Sequence, residues 1–209
     1  MARKDIADAR RPQIIEATID SIARLGFEKT TRAGVAKAAK LPLETVCLYF
    51  PTKKDLFVET LRHMALEYEA SWRERVLRQT TPFARLNAMV EADFDPIMSD
   101  RKGAIVWYGF WRESQWRPEF LHICEKLSNA YFEQSWIAMR QIVEEGGHRD
   151  IDPAELAHAF NAMINGLWME ILINPKGCNV ELAKRACHGF LARAFPNESA
   201  AAATLSSAA

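Results

Sequence analysis

Two Glu-x-x-His patterns stand out as spacings able to do chemistry: Glu119 with His122, and Glu155 with His158. On a helix such a spacing offers two ligands to one metal ion, as in di-metal carboxylate bundles. Their placement points elsewhere. Glu119 directly follows Pro118, and Glu155 comes two residues after Pro153, where an acid is favoured by the unpaired N–H groups and positive dipole end of a starting helix. A di-metal site also needs mid-helix ligands and two further inward glutamates. A di-metal helical-bundle enzyme is therefore the remote alternative, and neither a metal nor any other cofactor is expected. Nucleophilic catalysis has less to build on: there is no Gly-x-Ser-x-Gly, no glycine loop to cradle phosphate, and no recognisable partner for His63, His148 or His188. No catalytic residue is assigned, and the chain is expected not to be an enzyme.

Two other groupings carry binding chemistry. From 30 to 57 the chain reads TTRAGVAKAAKLPLETVCLYFPTKKDLF: two short helical patterns around a tight break, an aromatic pair, then two lysines. This is how a chain builds a helix-turn-helix, whose second helix lies in the DNA major groove. Val35, Ala39, Leu41, Val46 and Phe50 have the spacing of the small core that sets the angle between the two helices. Thr31 can cap the first helix and give a hydroxyl to a phosphate. Thr45 and Tyr49, four residues apart, project from one face toward the groove. Lys53 opens the next helix, where ammonium and backbone N–H groups can together hold a phosphate.

The second grouping is aromatic. All six tryptophans, Trp72, Trp107, Trp111, Trp116, Trp136 and Trp168, lie beyond that head, three of them within WYGFWRESQW. Trp107 and Trp111 share a helix face, with Ser114 one turn on. Tyr108 and Phe110 add ring surface, and Trp168 comes from a separate helix. Indole faces without a fixed positive charge suit a desolvated quaternary ammonium group, each well-placed ring contributing about 2 kcal/mol; the plainer alternative is that the rings fill a helical core. Glu113, Glu170 or Asp93 offers a balancing charge, although each reads first as a solvated surface carboxylate.

The elements that must position these groups are helical throughout. Apolar residues recur at three- and four-residue steps, and no segment alternates long enough for a sheet. Ile14, Ile15, Thr18, Ile19, Ile22 and Leu25 mark a first helix, stopped at Gly26. Further helices are expected near 32–39, 43–49, 53–77, 82–98, 102–115, 118–145, 153–173 and 180–195, divided by proline, glycine and Asn/Asp punctuation. The expected fold is all-α with about nine helices. Leu156, Ala159, Phe160, Met163, Ile164, Leu167 and Ile171 form one broad apolar stripe, and Leu182, Ala186, Phe190 and Leu191 another. Two such helices per subunit can make an intermolecular four-helix bundle. The Ala/Ser-rich 197–209 is too poor in bulky apolar groups to pack and reads as a flexible tail.

At these residues the chain resembles the TetR family of one-component transcriptional regulators. Its head is similar in Thr31 before a short helix with Val35-Ala36 and Ala38-Ala39, a recognition helix closing on Tyr49-Phe50, and Lys53 and Leu56 beyond. From about 104 to 195 the body resembles the BetI-type subgroup, which controls choline-to-glycine betaine genes, through Phe110-Trp111, Pro118-Glu119, the stretch 127–133 and Asn165-Gly166-Leu167-Trp168. The resemblance implies a repressor released from a palindromic operator by a small inducer, choline or a related quaternary amine. It implies DNA contacts from Thr31, Arg32, Leu43, Glu44, Thr45, Leu48, Tyr49 and Lys53, and inducer contacts from Trp107, Tyr108, Phe110, Trp111, Ser114 and Trp168. It also implies a homodimer closed by Leu156, Phe160, Met163, Leu167, Ile171, Leu182, Ala186 and Phe190. Lys40, Leu41 and Pro42 replace the family's usual Gly-Val-Ser turn, and Glu44, Cys47 and Leu48 depart from its recognition helix. A TetR-fold sensor that has lost DNA binding is the nearer alternative.

Composition is compatible with this reading. The 209 residues carry no net charge, but residues 1–62 hold 12 Lys+Arg against 8 Asp+Glu, leaving 15 against 19 in the remainder. A basic head on an acidic body is the asymmetry expected of a domain that approaches phosphates. The four cysteines are scattered without a Cys-x-x-Cys pair, as for reduced thiols. The charged start, MARKDIADARRP, and the lack of a run near the ~18 apolar residues of a membrane span predict a cytoplasmic protein without a membrane partner. The expected organisation is a DNA-binding domain over 1–55, a ligand-binding and dimerisation domain over 56–196, and the tail.

Overall fold

The computed structural model describes residues 2–95, 101–148 and 150–207. Among them run ten helices and no strand: α1 (Ala2–Lys29), α2 (Arg32–Ala38), α3 (Leu43–Tyr49), α4 (Lys53–Leu77), α5 (Pro82–Asp93), α6 (Arg101–Ser114), α7 (Pro118–Gly146), α8 (Pro153–Ile173), α9 (Val180–Ala194) and α10 (Pro196–Ser207). The all-α expectation stands. The C-terminal segment expected to be a tail is instead helical through Ser207: Ser199 donates its N–H to the Phe195 carbonyl at 3.1 Å, and Glu198 meets His148 at 3.1 Å. A run of alanines needs no large side chains to form a helix, since alanine has the highest intrinsic propensity. Of the helix expected over 82–98, the last three residues lie outside the described ones.

Contacts divide the chain into two compact units, Met1–Glu67 with Asp100–Glu125, and Tyr68–Ser99 with Lys126–Ala209. This is not the expected division at residue 55, because α6 and the start of α7 pack into the first unit. Phe110 of α6 meets Phe27 of α1 with ring centroids 4.7 Å apart and Phe120 of α7 at 5.2 Å. Gly109 permits this approach, as a Cβ there would fall 2.5 Å from the Phe27 ring.

Within the first unit the apolar stripe of α1 (Ile14, Ile15, Ile19, Ile22) is buried with Val35, Ala39, Val46 and Phe50, each large apolar side chain contributing roughly 1.5–3 kcal/mol by leaving water. Gly26, at φ 77° and ψ 171°, breaks the helical path of α1 near its end, a backbone region open to glycine. Thr31 caps α2, its Oγ1 accepting from the Gly34 N–H at 3.1 Å. The helix closes in a Schellman turn: the N–H of Leu41 donates to the Ala36 carbonyl at 2.9 Å, that of Lys40 to Lys37 at 3.2 Å, and Lys40 takes the left-handed position at φ 54°. Pro42 then opens α3 with no side-chain cap.

The second unit has its own core, in which Trp72, Leu86, Met89, Phe94, Tyr131, Met139, Phe160, Leu191 and Phe195 are buried. Its helices begin at side-chain caps: Thr81 accepts from Ala84 at 3.2 Å, Asp152 from Ala154 at 2.7 Å and Asn179 from Leu182 at 2.9 Å. Helix α8 is 21 residues long and holds an 18-residue stretch of mean hydropathy 1.2, enough by length and composition alone to cross a membrane. That departs from the expectation that no run approaches such a span.

Candidate functional site

In the head, α3 turns Val46 inward and leaves Leu43, Glu44 and Leu48 outside, Leu48 with 81 % of its surface exposed. Thr45 is half-buried, and the half-buried Tyr49 packs against the head's core. Phe50 is buried, with the Arg11 guanidinium 5.2 Å from its ring centroid. The two basic candidates are engaged within the fold. Arg32 donates to the backbone carbonyls of Phe50, at 3.2 Å, and of Pro51, bracing the start of α2 to the end of α3. Lys53 donates to the Glu28 carbonyl at 3.0 Å and lies 5.2 Å from the Phe57 ring centroid. Partial burial, then the nearby Arg117 charge, hold its pKa below the usual lysine value, against the opposing pull of Glu28 and Glu113.

The start of α4 carries a capping box that sequence reasoning passed over. The Asp55 N–H donates to Thr52 Oγ1 at 3.0 Å, and the Thr52 N–H donates back to Asp55 Oδ2 at 3.0 Å. The signal was legible in Thr52-Lys53-Lys54-Asp55, a hydroxyl followed three residues later by an acid. Two of the N–H groups expected to hold a phosphate are thereby satisfied by the chain itself.

The aromatic candidates separate. Trp107 and Trp111 have centroids 6.3 Å apart, and Tyr108 stands edge-on to Trp111 at 5.3 Å; all three are half-buried. Burial pushes the Tyr108 hydroxyl up to about 12. Phe110 is a correction: it points into the first unit's core and is fully buried there, so it does not join the Trp107 and Trp111 face. Ser114 is also buried, and its hydroxyl donates to the Trp111 carbonyl at 2.7 Å. Glu113, offered by the sequence as a balancing charge for these rings, is shared by Arg112 at 3.1 Å and Arg117 at 3.2 Å. Trp168 belongs to the second unit, where it stacks on Phe94 at 5.9 Å and 18°. Glu170 bonds Asn174 at 2.8 Å.

Asp93 corrects the reading of it as a solvated carboxylate. It closes α5 with 1 % of its surface exposed; Tyr68 donates to one carboxylate oxygen and Tyr131 to the other. Burial raises its pKa to about 7, despite the two hydrogen bonds that favour the charged form. The tyrosine rings stack at 6.1 Å, and the buried Trp72 meets Tyr131 edge-on at 5.6 Å with its indole N–H unpaired. Sequence spacing missed this group because Asp93, Tyr68 and Tyr131 come from three helices.

Of the expected dimer residues, Leu156, Met163, Leu167, Ile171, Ala186 and Phe190 are half-buried and Leu182 is exposed. Phe160 is a correction, being fully buried in its own unit and stacked with Phe190 at 6.4 Å. The Glu-x-x-His residues behave as helix-start residues: Glu119 pairs with Lys54 at 2.8 Å, the Glu155 N–H reaches the Asp152 cap at 3.2 Å, and His158 stacks on Phe132 at 4.3 Å.

Comparison with known proteins agrees with this architecture. Residues 14–60 match the tetR family of bacterial regulatory proteins, and residues 82–196 match the C-terminal domain of BetI-type transcriptional repressors. The HTH-type transcriptional regulator BetI of Vibrio atlanticus is 25% identical over 194 residues, covering 91% of this chain and 94% of its own length. That of Burkholderia mallei is 29% identical over 192 residues, covering 91% and 96%. Among solved structures, a transcriptional regulator from Pseudomonas aeruginosa PAO1 superposes with a TM-score of 0.81 at 21% identity, over 92% of this chain and 93% of that one. A regulator from Saccharomonospora viridis in complex with choline gives 0.79 at 24% identity, over 88% and 96%. These relatives are transcriptional regulators and not enzymes. With a helix-turn-helix head and a helical body that both match, the chain belongs to the TetR family of transcriptional regulators and carries a BetI-type C-terminal domain.

Proposed function

We propose that this regulator is a homodimeric, cytoplasmic repressor that holds a two-fold operator and releases it when a small organic cation of the choline class binds its C-terminal half. The observation that carries the reading is the continuity of α4. One 25-residue helix begins at Lys53, four residues after the end of α3, and runs on to bear Tyr68 and Trp72 in the aromatic layer of the second unit. A cation that binds that layer more tightly in one position of α4 than in another shifts the pair of recognition helices, and only such a differential affinity can do so. The BetI relatives and the choline-bound neighbour support the ligand class.

On the DNA side, Thr31, Arg32, Thr45, Tyr49 and Lys53 position the head on phosphates and groove. Leu43 and Leu48 offer apolar contact to thymine methyl groups, and Glu44 accepts from a cytosine N4 amine. The test is a mobility-shift titration of DNA upstream of the protein's own gene, with and without choline. Operator binding that choline weakens is expected, and an affinity unmoved by saturating choline would reject the coupling for that compound. A second reading, a sensor without DNA binding, is favoured by α3 itself, which has no Lys or Arg and an outward carboxylate. Loss of any shift at low salt would select it.

A further inference from the structure

We propose that the buried layer around Asp93 is the seat of an alkylammonium group, and that a proton on Asp93 competes with that cation. The inference rests on the reading that the effector is a small organic cation, and adds where its charge sits and what regulates its binding.

A buried carboxylate normally keeps a cationic partner, because desolvation is otherwise uncompensated. Asp93 has hydrogen bonds from Tyr68 and Tyr131 and, among the described residues, no ion pair. The two tyrosine rings whose hydroxyls reach it stack on one another, the Trp72 indole stands edge-on to Tyr131, and the next residue, Phe94, stacks on Trp168. One carboxylate within aromatic surface is the environment that a large, weakly hydrated cation prefers. It does not suit a hard metal ion, which needs six or more oxygen ligands or retained water, and no metal-binding cluster of His, Cys, Asp or Glu occurs among the described residues. The unpaired Trp72 N–H leaves one donor for an oxygen on the ligand, such as the hydroxyl of choline. For Trp107 and Trp111 the balancing carboxylate offered by the sequence, Glu113, already pairs with Arg112 and Arg117.

Asp93 is the group of this layer that titrates near neutrality. Facing it are Tyr68 from α4 and Tyr131 from α7, both held well above the ordinary tyrosine value first by burial and then by the Asp93 charge, and Cys187 from α9, raised to about 12 by burial. All three stay neutral between pH 6 and 8. Arg73, 4.9 Å from the Trp72 ring centroid, pairs with Glu69 at 2.8 Å. With a midpoint of about 7 for Asp93, cation entry below neutrality requires the carboxyl proton to leave to solvent.

The test is calorimetric titration of the full chain with choline and with its uncharged carbon isostere, 3,3-dimethyl-1-butanol, at pH 6 and pH 8, alongside operator release by choline. For the unaltered protein, choline affinity is expected to rise about tenfold from pH 6 to pH 8, with proton release at pH 6, while the isostere shows no pH dependence. Asp93→Asn is expected to lose about 30-fold in choline affinity, to bind choline and isostere alike, and to show no pH dependence. Tyr131→Phe keeps the charge and removes one stabilising hydrogen bond, so it still prefers choline but with the pH midpoint moved upward. This variant serves if Asp93→Asn fails to fold. Equal choline affinity at both pH values, or in Asp93→Asn, overturns the seat, as does absence of choline binding at millimolar concentration. If Asp93→Asn releases the operator at the same choline concentration as the unaltered protein, the seat fails and the repressor reading stands. If choline binds through Asp93 but leaves the operator occupied, the seat stands and the coupling fails.

Discussion

At the scale of single residues, Lys40 spends conformational energy to end α2. A side chain at φ 54° sits in the left-handed region, which costs an L-residue about 1–2 kcal/mol and glycine almost nothing. Lys40→Gly keeps both closing hydrogen bonds, so stability is expected to rise by roughly 1 kcal/mol after glycine's greater unfolded-state freedom is subtracted; the urea midpoint measures it. Lys53 braces the fold, and the phosphate contact proposed for it can be tested separately. Lys53→Ala removes the bond to the Glu28 carbonyl and the approach to Phe57, and is expected to lower stability by about 1 kcal/mol. A phosphate contact would additionally reduce the salt slope of operator binding by about one, so a lower stability with an unchanged slope leaves Lys53 a brace only. Asp93 gives a pH prediction with a definite sign. Its folded pKa, about 7, lies above the ordinary aspartate value of 3.8, so the folded state holds the proton more tightly, and that contribution is complete below about 4 and lost as pH rises through 7. The difference in unfolding free energy between the unaltered protein and Asp93→Asn should therefore shrink across this window, by an amount of order 4 kcal/mol; a difference that stays flat would deny the raised pKa. The Thr31 cap was legible because it depends on residues three apart. Asp93 was not, because burial arises only when α4, α5 and α7 come together.

At the scale of elements, periodicity identified the faces that matter and left open which of them turns inward. Trp107 and Trp111 do share a face, as four-residue spacing requires, yet Phe110 lies on the adjacent, buried one. The local pattern Trp-Tyr-Gly-Phe-Trp is apolar on both sides, so sequence could not choose. Gly109 is what lets α6 reach α1. Gly109→Ala would normally stabilise a helix by about 1 kcal/mol, but its Cβ would lie 2.5 Å from Phe27 Cε2. The Phe27 ring has little room to yield, with Phe57 edge-on at 5.4 Å and Phe110 at 4.7 Å. Overpacking of this kind costs about 1–3 kcal/mol, so the net expectation is destabilisation, read by the urea midpoint. Stabilisation by the full helix-propensity gain would mean that the α1 and α6 contact is loose. The helix α10 was missed for a different reason: its Ala-rich sequence lacked the bulky stripe used as the sign of packing, although Ala202 does pack against the second core.

At the scale of the whole molecule, the expected boundary at residue 55 followed the end of the helix-turn-helix pattern, whereas α6 and the start of α7 return to the first unit after the intervening stretch 68–99. Such long-range returns leave no local mark, and the phenylalanines that secure them read equally well as core of the body. A second molecular property is the apolar surface of α8 and α9. Leu182 of α9 is exposed, and Leu156, Met163, Leu167 and Ile171, which recur at four- and seven-residue steps along one face of α8, remain only half-buried. An apolar helix face left partly open in this way is suited to an interaction site, and a second copy of the same pair of helices would cover it in an isologous four-helix contact. Leu182 is 40% exposed, so Leu182→Glu should cost the subunit itself little, while two-fold symmetry places two buried charges in the proposed interface for one substitution. The expected result is a shift from two chains to one in light-scattering mass at micromolar concentration, with the monomer's helical content and urea midpoint retained and operator affinity lost. Half of a palindromic site offers one head too few phosphate and base contacts for tight binding, which is why affinity and mass should fall together. A variant that keeps the two-chain mass would remove Leu182 from the interface, and an unaltered protein of single-chain mass that still binds the operator would refute the dimeric repressor outright.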